Sequence, residues 1–211
     1  MTTLADYITE CRRLLHDANG AFYTDSELTD DINIARRRLV RDTGCLREIQ
    51  MANTVTSQEV YNFTALPSGN STVDVLNINL YWGNTRIPMN YLPWTDFNAK
   101  LRFWQNYIGR PIAFSLYGQT KFYISPVPDQ VYVMELDTVI SPADLVNNAD
   151  VDSIPIEFTG PVAFYACHQA KYKEQAYGES EIFKQEYIKK AQNVLATTYT
   201  RRMPSPYSSV Y

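Results

Sequence analysis

Apolar residues near the N-terminus recur with the spacing of an α-helix. They are separated by three or four residues and so share one helix face: Leu4, Ile8, Cys11 and Leu15. Thr3 is placed to cap the start of this helix, and Asn19-Gly20 is placed to end it. The pattern predicts an amphipathic first helix.

A second helix is predicted from Thr24, which with Glu27 three residues later forms the capping-box pattern. Apolar positions then repeat with helical spacing up to Gly44, which supplies a stop. Because the connection between the two helices is short, we expect them to be antiparallel neighbours.

From Glu48 the pattern changes to alternating apolar and polar residues, which is typical of β-strands. The alternating segments are separated by turn residues and cover 52–63, 71–81, 112–117, 121–125 and 130–139. Gly118-Gln119 predicts a tight hairpin, and residues 94–104 predict one inserted helix. Residues 48–157 are therefore predicted to form an antiparallel β domain, a small sandwich or barrel.

Helical spacing returns at Thr159-Gly160-Pro161, because proline is common in the first turn of a helix. Gly178 is predicted to end this helix, and a last helix should run from about Ser180 to Arg202. Residues 1–47 and 158–203 would then be the two halves of a four-helix bundle. The predicted fold class is α+β, with an extended tail over residues 204–211.

Composition narrows the class of protein. The 211 residues have a net charge of −4, which argues against a general nucleic-acid binder. The sixteen tyrosines suit protein–protein interfaces, since tyrosine combines apolar area with a hydrogen-bonding tip. The N-terminal residues do not resemble a secretory signal, and we find no apolar run of the roughly 20 residues that cross a bilayer. We expect a soluble protein, made in a cytoplasm, with no contact to a membrane.

Residues that could perform chemistry are few. Cys167 and His168 are adjacent on a predicted helix and so point about 100° apart, which excludes a nucleophile–base pair. Two histidines and three scattered cysteines give no zinc spacing, and no glycine-rich phosphate loop occurs. The sequence predicts that the protein is not an enzyme and has no catalytic, cofactor or metal site.

The acidic stretch Asp144–Asp152 allows two interpretations. Alternating oxygen ligands there would suit Ca²⁺, but the EF-hand template requires glycine and glutamate where Ser153 and Thr159 stand. A solvated turn is the preferred interpretation, and the cation site stays open.

Charge is distributed unevenly along the chain. Arg36, Arg37 and Arg41 give the second helix a basic face, although residues 1–47 hold seven arginines against eight acids. We interpret this face as a contact between subunits rather than a DNA-binding surface. Between Phe122 and Ala170 there are seven acids and no Lys or Arg, which predicts a negative edge on the β domain. Such an edge would serve solubility or repel DNA in a channel.

The order of several short motifs resembles the head-to-tail adaptor proteins of short-tailed bacteriophages. A G-x-P strand, a hairpin, a P-x-P-D turn and a tyrosine-containing strand follow one another at 109–112, 118–123, 125–129 and 132–136. The opening also matches, with Phe22-Tyr23-Thr24-Asp25 before the Leu28–Arg36 helix segment. The resemblance covers roughly residues 3–200.

The resemblance implies a structural role in the virion. Such adaptors form a twelvefold ring below the portal, extend the DNA channel without sequence-specific binding, and receive the tail nozzle and the tailspikes or fibres. Their C-terminal segment reaches the portal protein, a role that falls here on Met203, Pro204, Pro206, Tyr207, Val210 and Tyr211. Arg36, Arg37 and Arg41 would lie between neighbouring subunits.

A different class of function is kept as the alternative. Trp82, Trp94 and Trp104 fall within the predicted β domain and its inserted helix, where they would stack against a sugar or a peptide. The protein would then be a cytoplasmic ligand-binding or peptide-binding module.

Overall fold

The computed structural model describes residues 1–104 and 107–200 of the chain, without the side chains of residues 101–104, 199 and 200. The chain divides into two compact units. Among the described residues, the helical unit consists of Met1–Leu46 and residues 141–200, and the β unit consists of Arg47–Ile140. The protein is therefore of mixed α+β class, as predicted. The described helices are α1 (Leu4–Leu15), α2 (Asp25–Thr43), α3 (Trp94–Trp104), α4 (Gly160–Lys173) and α5 (Tyr177–Thr200).

Local capping fixes the first two helices. Thr3 and Asp6 form a capping box at the start of α1, and Thr24 and Glu27 form the predicted one at the start of α2. Gly44 ends α2 in the left-handed conformation, as predicted. α1 ends earlier than the sequence suggested, because His16 already takes the left-handed conformation with φ of 56°.

The helices α1, α2 and α5 all pack against α4. The sequence of α4 explains this position, because small residues on its buried side let neighbouring helices approach closely: Ala163, Ala166, Cys167 and Ala170. Its end differs from the prediction. α4 stops at Lys173, Gln175 turns the chain with φ of 63°, and Gly178 lies inside the first turn of α5.

Residues 141–157 differ from the predicted domain boundary. The sequence assigned them to the β domain, whereas the compact β unit ends at Ile140. The backbone N–H groups of Leu4 and Ala5 donate to the carbonyls of Asp150 and Asn148 at 3.1 Å, so this segment is bonded to α1.

In its described residues, the β unit contains two four-stranded sheets and one two-stranded sheet. Its strands are β1 (Arg47–Asn53), β2 (Val60–Asn62), β3 (Thr72–Trp82), β4 (Thr85–Pro88), β5 (Asn90–Tyr91), β6 (Ile108–Gly109), β7 (Ala113–Tyr117), β8 (Lys121–Ser125), β9 (Val127–Pro128) and β10 (Val133–Ile140). The larger sheets have the strand orders β1-β10-β3-β4 and β2-β8-β7-β5. Neither sheet closes on itself, so the strands of the described residues form no barrel.

Most strand pairs are antiparallel, as the alternating pattern predicted. Two short pairs are parallel instead, β5 with β7 and β6 with β9. The β7–β8 hairpin turns at Gly118 and Gln119, both with positive φ, and confirms the predicted turn.

One buried cluster contains residues of both larger sheets. Ile78, Leu80 and Leu136 of the first sheet belong to the same cluster as Phe114 and Phe122 of the second. Helix α3, at its predicted place, packs against β7 and buries Phe97 completely. Over the described part of the chain, no helix combines the length and the apolar character that crossing a membrane requires.

Candidate functional site

Arg36, the first of the three predicted interface arginines, lies inside the helical unit. Only 1% of its side chain is exposed. Its guanidinium donates to Asp152 Oδ1 at 2.6 Å, to Asn33 Oδ1 at 3.0 Å and to the Ala143 carbonyl at 2.8 Å. All of these partners belong to the same chain. The predicted contact of Arg36 with a second copy is therefore corrected: its side chain binds groups inside the helical unit.

The carboxylate that Arg36 binds is shared with α1. The Tyr7 hydroxyl donates to Asp152 Oδ2 at 2.6 Å, and the Ile154 N–H donates to Oδ1 at 3.0 Å. Burial, and then the bond to Asp152, raise the pKa of Tyr7 well above its ordinary range, so the phenol keeps its proton. Asp152 therefore joins α1, α2 and the segment before α4.

The other two predicted arginines are at the surface. One surface stripe along α2, which we call the α2 stripe, consists of residues at intervals of three or four: Asp30, Ile34, Arg37 and Arg41. Arg37 is half-buried, and the other three are exposed. Arg37 forms an ion pair with Asp144 of the same chain. Arg41 is exposed, and no described residue forms an ion pair or hydrogen bond with its side chain. Its charge is therefore available to a partner.

The predicted negative edge is largely neutralised in the structure. Four of the seven acids form ion pairs with arginines from outside their segment: Glu135 with Arg86, Asp137 with Arg47, Asp144 with Arg37, and Asp152 with Arg36. The excess of acids along the sequence thus does not become an equal excess of negative charge in space.

The acidic residues of the 144–152 stretch have separate roles. Asp150 accepts the backbone N–H groups of Val146 and Asn147 at 2.8 Å each, and these bonds hold its pKa below the ordinary value. Asp144 and Asp152 bind Arg37 and Arg36 respectively. Within the described residues, no cluster of three or more carboxylate, histidine or cysteine side chains is suited to hold a metal ion.

His168 and Cys167 point to different neighbours, as their adjacency predicted. His168 Nδ1 lies 2.8 Å from Ser180 Oγ and 3.0 Å from the Ser180 carbonyl, so it joins α4 to α5. Cys167 Sγ donates instead to the Cys11 carbonyl at 3.8 Å. Contact with the Cys167 thiol, together with burial, raises the pKa of Cys11, which disfavours a thiolate.

Comparison with known families identifies the family of this chain. The family model described as SU10 adaptor protein matches residues 2–209. The chain belongs to the SU10 adaptor protein family. Comparison with curated proteins finds no match.

Membership gives the chain a place in a phage particle. An adaptor of this family is a structural phage protein, a class that is normally not enzymatic, and it is a component of the virion. Interaction with portal and tail components in general follows from the same membership. The resemblance inferred from the sequence motifs is confirmed.

The tail residues predicted to contact the portal lie outside the described residues: Met203, Pro204, Pro206, Tyr207, Val210 and Tyr211. The family match extends to residue 209, so most of this adaptor's tail belongs to the family pattern.

The tryptophans of the alternative hypothesis have neighbours within the β unit. Trp94 packs against Tyr117 and Tyr123, with ring centroids 4.6 and 4.7 Å apart. The Arg110 guanidinium lies over the Trp82 ring at 4.5 Å, and 57% of Trp82 is exposed. The Trp104 side chain lies outside the described residues. These contacts serve packing in the adaptor, and no observation favours a sugar or peptide stacked on the rings.

Sequence inspection missed the partners of Arg36. One signal was present, because Arg36 lies four residues after the buried Ile32 and three before the buried Leu39 and should therefore point inward. A buried guanidinium requires a buried acceptor, but the sequence offered many acids and no means of choosing Asp152.

Proposed function

We propose that this adaptor forms a twelvefold ring below the portal, which extends the DNA channel and receives the tail nozzle, tailspikes or fibres. The observation that supports the proposal most is the family match over residues 2–209, because it includes both units and most of the tail. DNA would pass through the ring without sequence-specific contacts. This fits a chain with a net charge of −4.

In the proposed ring, the four long helices of the helical unit form a bundle, and the bundles of neighbouring subunits pack side by side. Closure of a ring requires a heterologous interface, in which one face meets a different face of the next copy. The α2 stripe suits one of these faces, since Arg41 is exposed and Ile34 is 41% exposed. Two exposed acids of α5, Glu179 and Glu181, suit the other face.

The β unit, whose two sheets would form a sandwich, is proposed to receive the tail proteins. The tail is proposed to bind the portal through Met203, Pro204, Pro206, Tyr207, Val210 and Tyr211. Between Met203 and Tyr211 it carries no charged side chain, and its two tyrosines and one valine supply apolar anchors. A segment that becomes ordered on its partner realises its binding free energy only when the partner is present.

The test is to mix the purified chain with portal rings of the same phage and to measure the mass of the products by mass photometry. We expect a complex with twelve adaptor chains per portal ring. Deletion of residues 204–211 should abolish this complex. A variant in which a glycine–serine tail of equal length replaces these residues shows whether the side chains or only the length of the tail matter. A chain that stays monomeric with portal rings and binds a small ligand would contradict the proposal.

A further inference from the structure

Strand β1 of the β unit leaves one edge of its sheet open. It pairs with β10 along its whole length, from Arg47 opposite Val139 to Asn53 opposite Val133. β1 is the terminal strand of this sheet, and over residues 48–53 no described residue forms a backbone hydrogen bond with its other side. An open edge presents unpaired N–H and C=O groups that can pair with another strand.

The usual protection of an edge strand is confined to the start of β1. Charged residues and proline commonly block such edges, and Arg47 and Glu48 are charged, but Ile49–Asn53 contains neither a charge nor proline. On the outer face, Ile49 is 65% exposed and Met51 is 49% exposed. Val133 of the adjacent β10 is 40% exposed and lies diagonally across from Met51. From Ile49 to Met51 the edge is thus unpaired and carries apolar side chains on its outer face.

A groove runs beside this edge. It lies between Met51–Asn53 and the chain from Tyr61 to Pro67, has a volume of about 480 Å³ and includes Leu66 and Met134 in its lining. None of the residues that line it is acidic or basic. A ligand segment that enters this groove would therefore meet uncharged side chains. A charged side chain on that segment would lose its hydration and find no opposite charge.

The walls of the groove are held in place by the β unit itself. The Tyr61 hydroxyl donates to the Gln58 carbonyl at 3.0 Å and accepts the Val55 N–H at 2.9 Å. Gln50 of β1 donates to Thr138 Oγ1 at 2.8 Å and accepts the Ser68 N–H at 3.1 Å. A preformed groove of this kind lowers the entropy cost of binding.

We propose that β1 and this groove form a strand-addition site for an extended segment of another protein, uncharged over about five residues and apolar at alternate positions. The segment's backbone would pair with the open edge of β1, and every second side chain would enter the groove. The absence of charge in the groove lining selects against charged side chains at those positions. The tail of a second adaptor copy fits less well, because Pro204 and Pro206 lack the N–H groups that a strand must donate.

The inference deepens the proposed docking role of the β unit, and it rests on that role only for assigning the segment to a tail-side protein. The site itself is tested on the purified full chain without portal or ring. Failure of peptide binding would therefore leave ring assembly untouched, and failure of ring assembly would leave peptide binding untouched.

The probe is a fluorescein-labelled peptide with the central sequence Thr-Val-Thr-Ile-Thr-Val, flanked by lysines for solubility. We expect saturable binding by fluorescence anisotropy, together with slower hydrogen exchange of the β1 amides. Ala65→Asp places a carboxylate in the groove lining and should weaken binding about tenfold or more. Thr64→Asp is the matched control, because Thr64 is exposed in the same short helix but does not line the groove.

Thermal unfolding of both variants shows whether either substitution disturbs the fold. Equal binding by wild type and Ala65→Asp would overturn the proposal, as would unchanged exchange of the β1 amides at saturating peptide. Binding of a peptide of residues 203–211 without binding of the alternating peptide would overturn the proposed occupant. If a version of the probe with glutamate in place of each central valine and isoleucine binds equally well, the selection against charge is wrong.

Discussion

A charged side chain in the interior of the helical unit depends on its partners. Arg36 and Asp152 are both almost completely buried and face each other at 2.6 Å. Asn33 and the Ala143 carbonyl accept from Nη1 of Arg36, and Tyr7 binds the other oxygen of Asp152. A buried pair of this kind adds little to stability compared with an apolar pair, yet removing one partner leaves the other uncompensated.

Arg36→Met should therefore lower the free energy of unfolding by about 3–5 kcal/mol, since Asp152 would stay buried without its cation. Urea denaturation followed by circular dichroism measures this change. Arg38→Met is the matched control on the same helix, because Arg38 is exposed and, within the described part of the chain, pairs with Asp42 four residues away. Its change should stay within about 1 kcal/mol.

A second variant distinguishes the charge from the packing. Arg36→Met combined with Asp152→Asn should recover part of the lost stability, because no unpaired charge then remains. If the double variant lost the sum of the two single losses, the ion pair would not be the source of the effect.

Between elements, the connection of α1 to α2 is organised by one carboxylate. Asp17 accepts the N–H groups of Ala21 at 2.8 Å, Phe22 at 3.2 Å and Tyr23 at 3.0 Å, and it pairs with Arg12. Burial opposes ionisation, but these N–H groups and Arg12 outweigh it and lower the pKa of Asp17 below its ordinary 3.8. The bonds hold the loop that follows α1, which ends at His16 rather than at the predicted Asn19-Gly20.

This lowered pKa makes a prediction about pH. A carboxyl whose pKa is lower in the folded state stabilises the fold above its ordinary pKa of 3.8, and the contribution is lost as the pH falls through the lowered value. Asp17→Asn should thus have a lower urea midpoint than wild type at pH 7, with a smaller difference near pH 2.5. The exposed Asp30→Asn is the control, and an equal difference at both pH values for Asp17→Asn would contradict the assignment.

The α2 stripe makes a prediction about assembly. Arg41→Glu should reduce incorporation into particles, because reversing the charge would repel acids of a neighbouring copy. The purified chain should stay folded, with a loss of no more than about 1 kcal/mol at the end of α2. Arg13→Glu is the matched control, since Arg13 is 75% exposed on α1 and outside the stripe. Normal amounts of Arg41→Glu in assembled particles would make Arg41 an ordinary surface charge.

At the scale of the whole chain, the features that could be predicted from the sequence are those that short-range interactions determine. The bounds of α2 follow from Thr24, Glu27 and Gly44, all within the element or next to it. The class, the hairpin at Gly118 and the inserted helix follow from periodicity and turn residues in the same way.

Long-range pairing accounts for what the sequence did not predict. Residues 141–157 have no periodic pattern that ties them to α1, and their assignment depends on bonds to Leu4 and Ala5 and on the pair of Asp152 with Arg36. The parallel pairs β5–β7 and β6–β9 are two residues long, too short for any alternation to show. The candidate site had the same difficulty, because exposure separates Arg41 from Arg36 although both belong to one basic run.

The pairing of Arg47 with Val139 has a consequence for how the chain folds. β1 and β10 are adjacent antiparallel strands, so the polypeptide enters and leaves the β unit at neighbouring points. The pairing of β1 with β10 closes the long loop between them, so the helices do not bear the entropy cost of that closure. During synthesis α1 and α2 emerge well before α4. The completed sheet then holds the chain end that follows α2 close to the chain end that leads to α4.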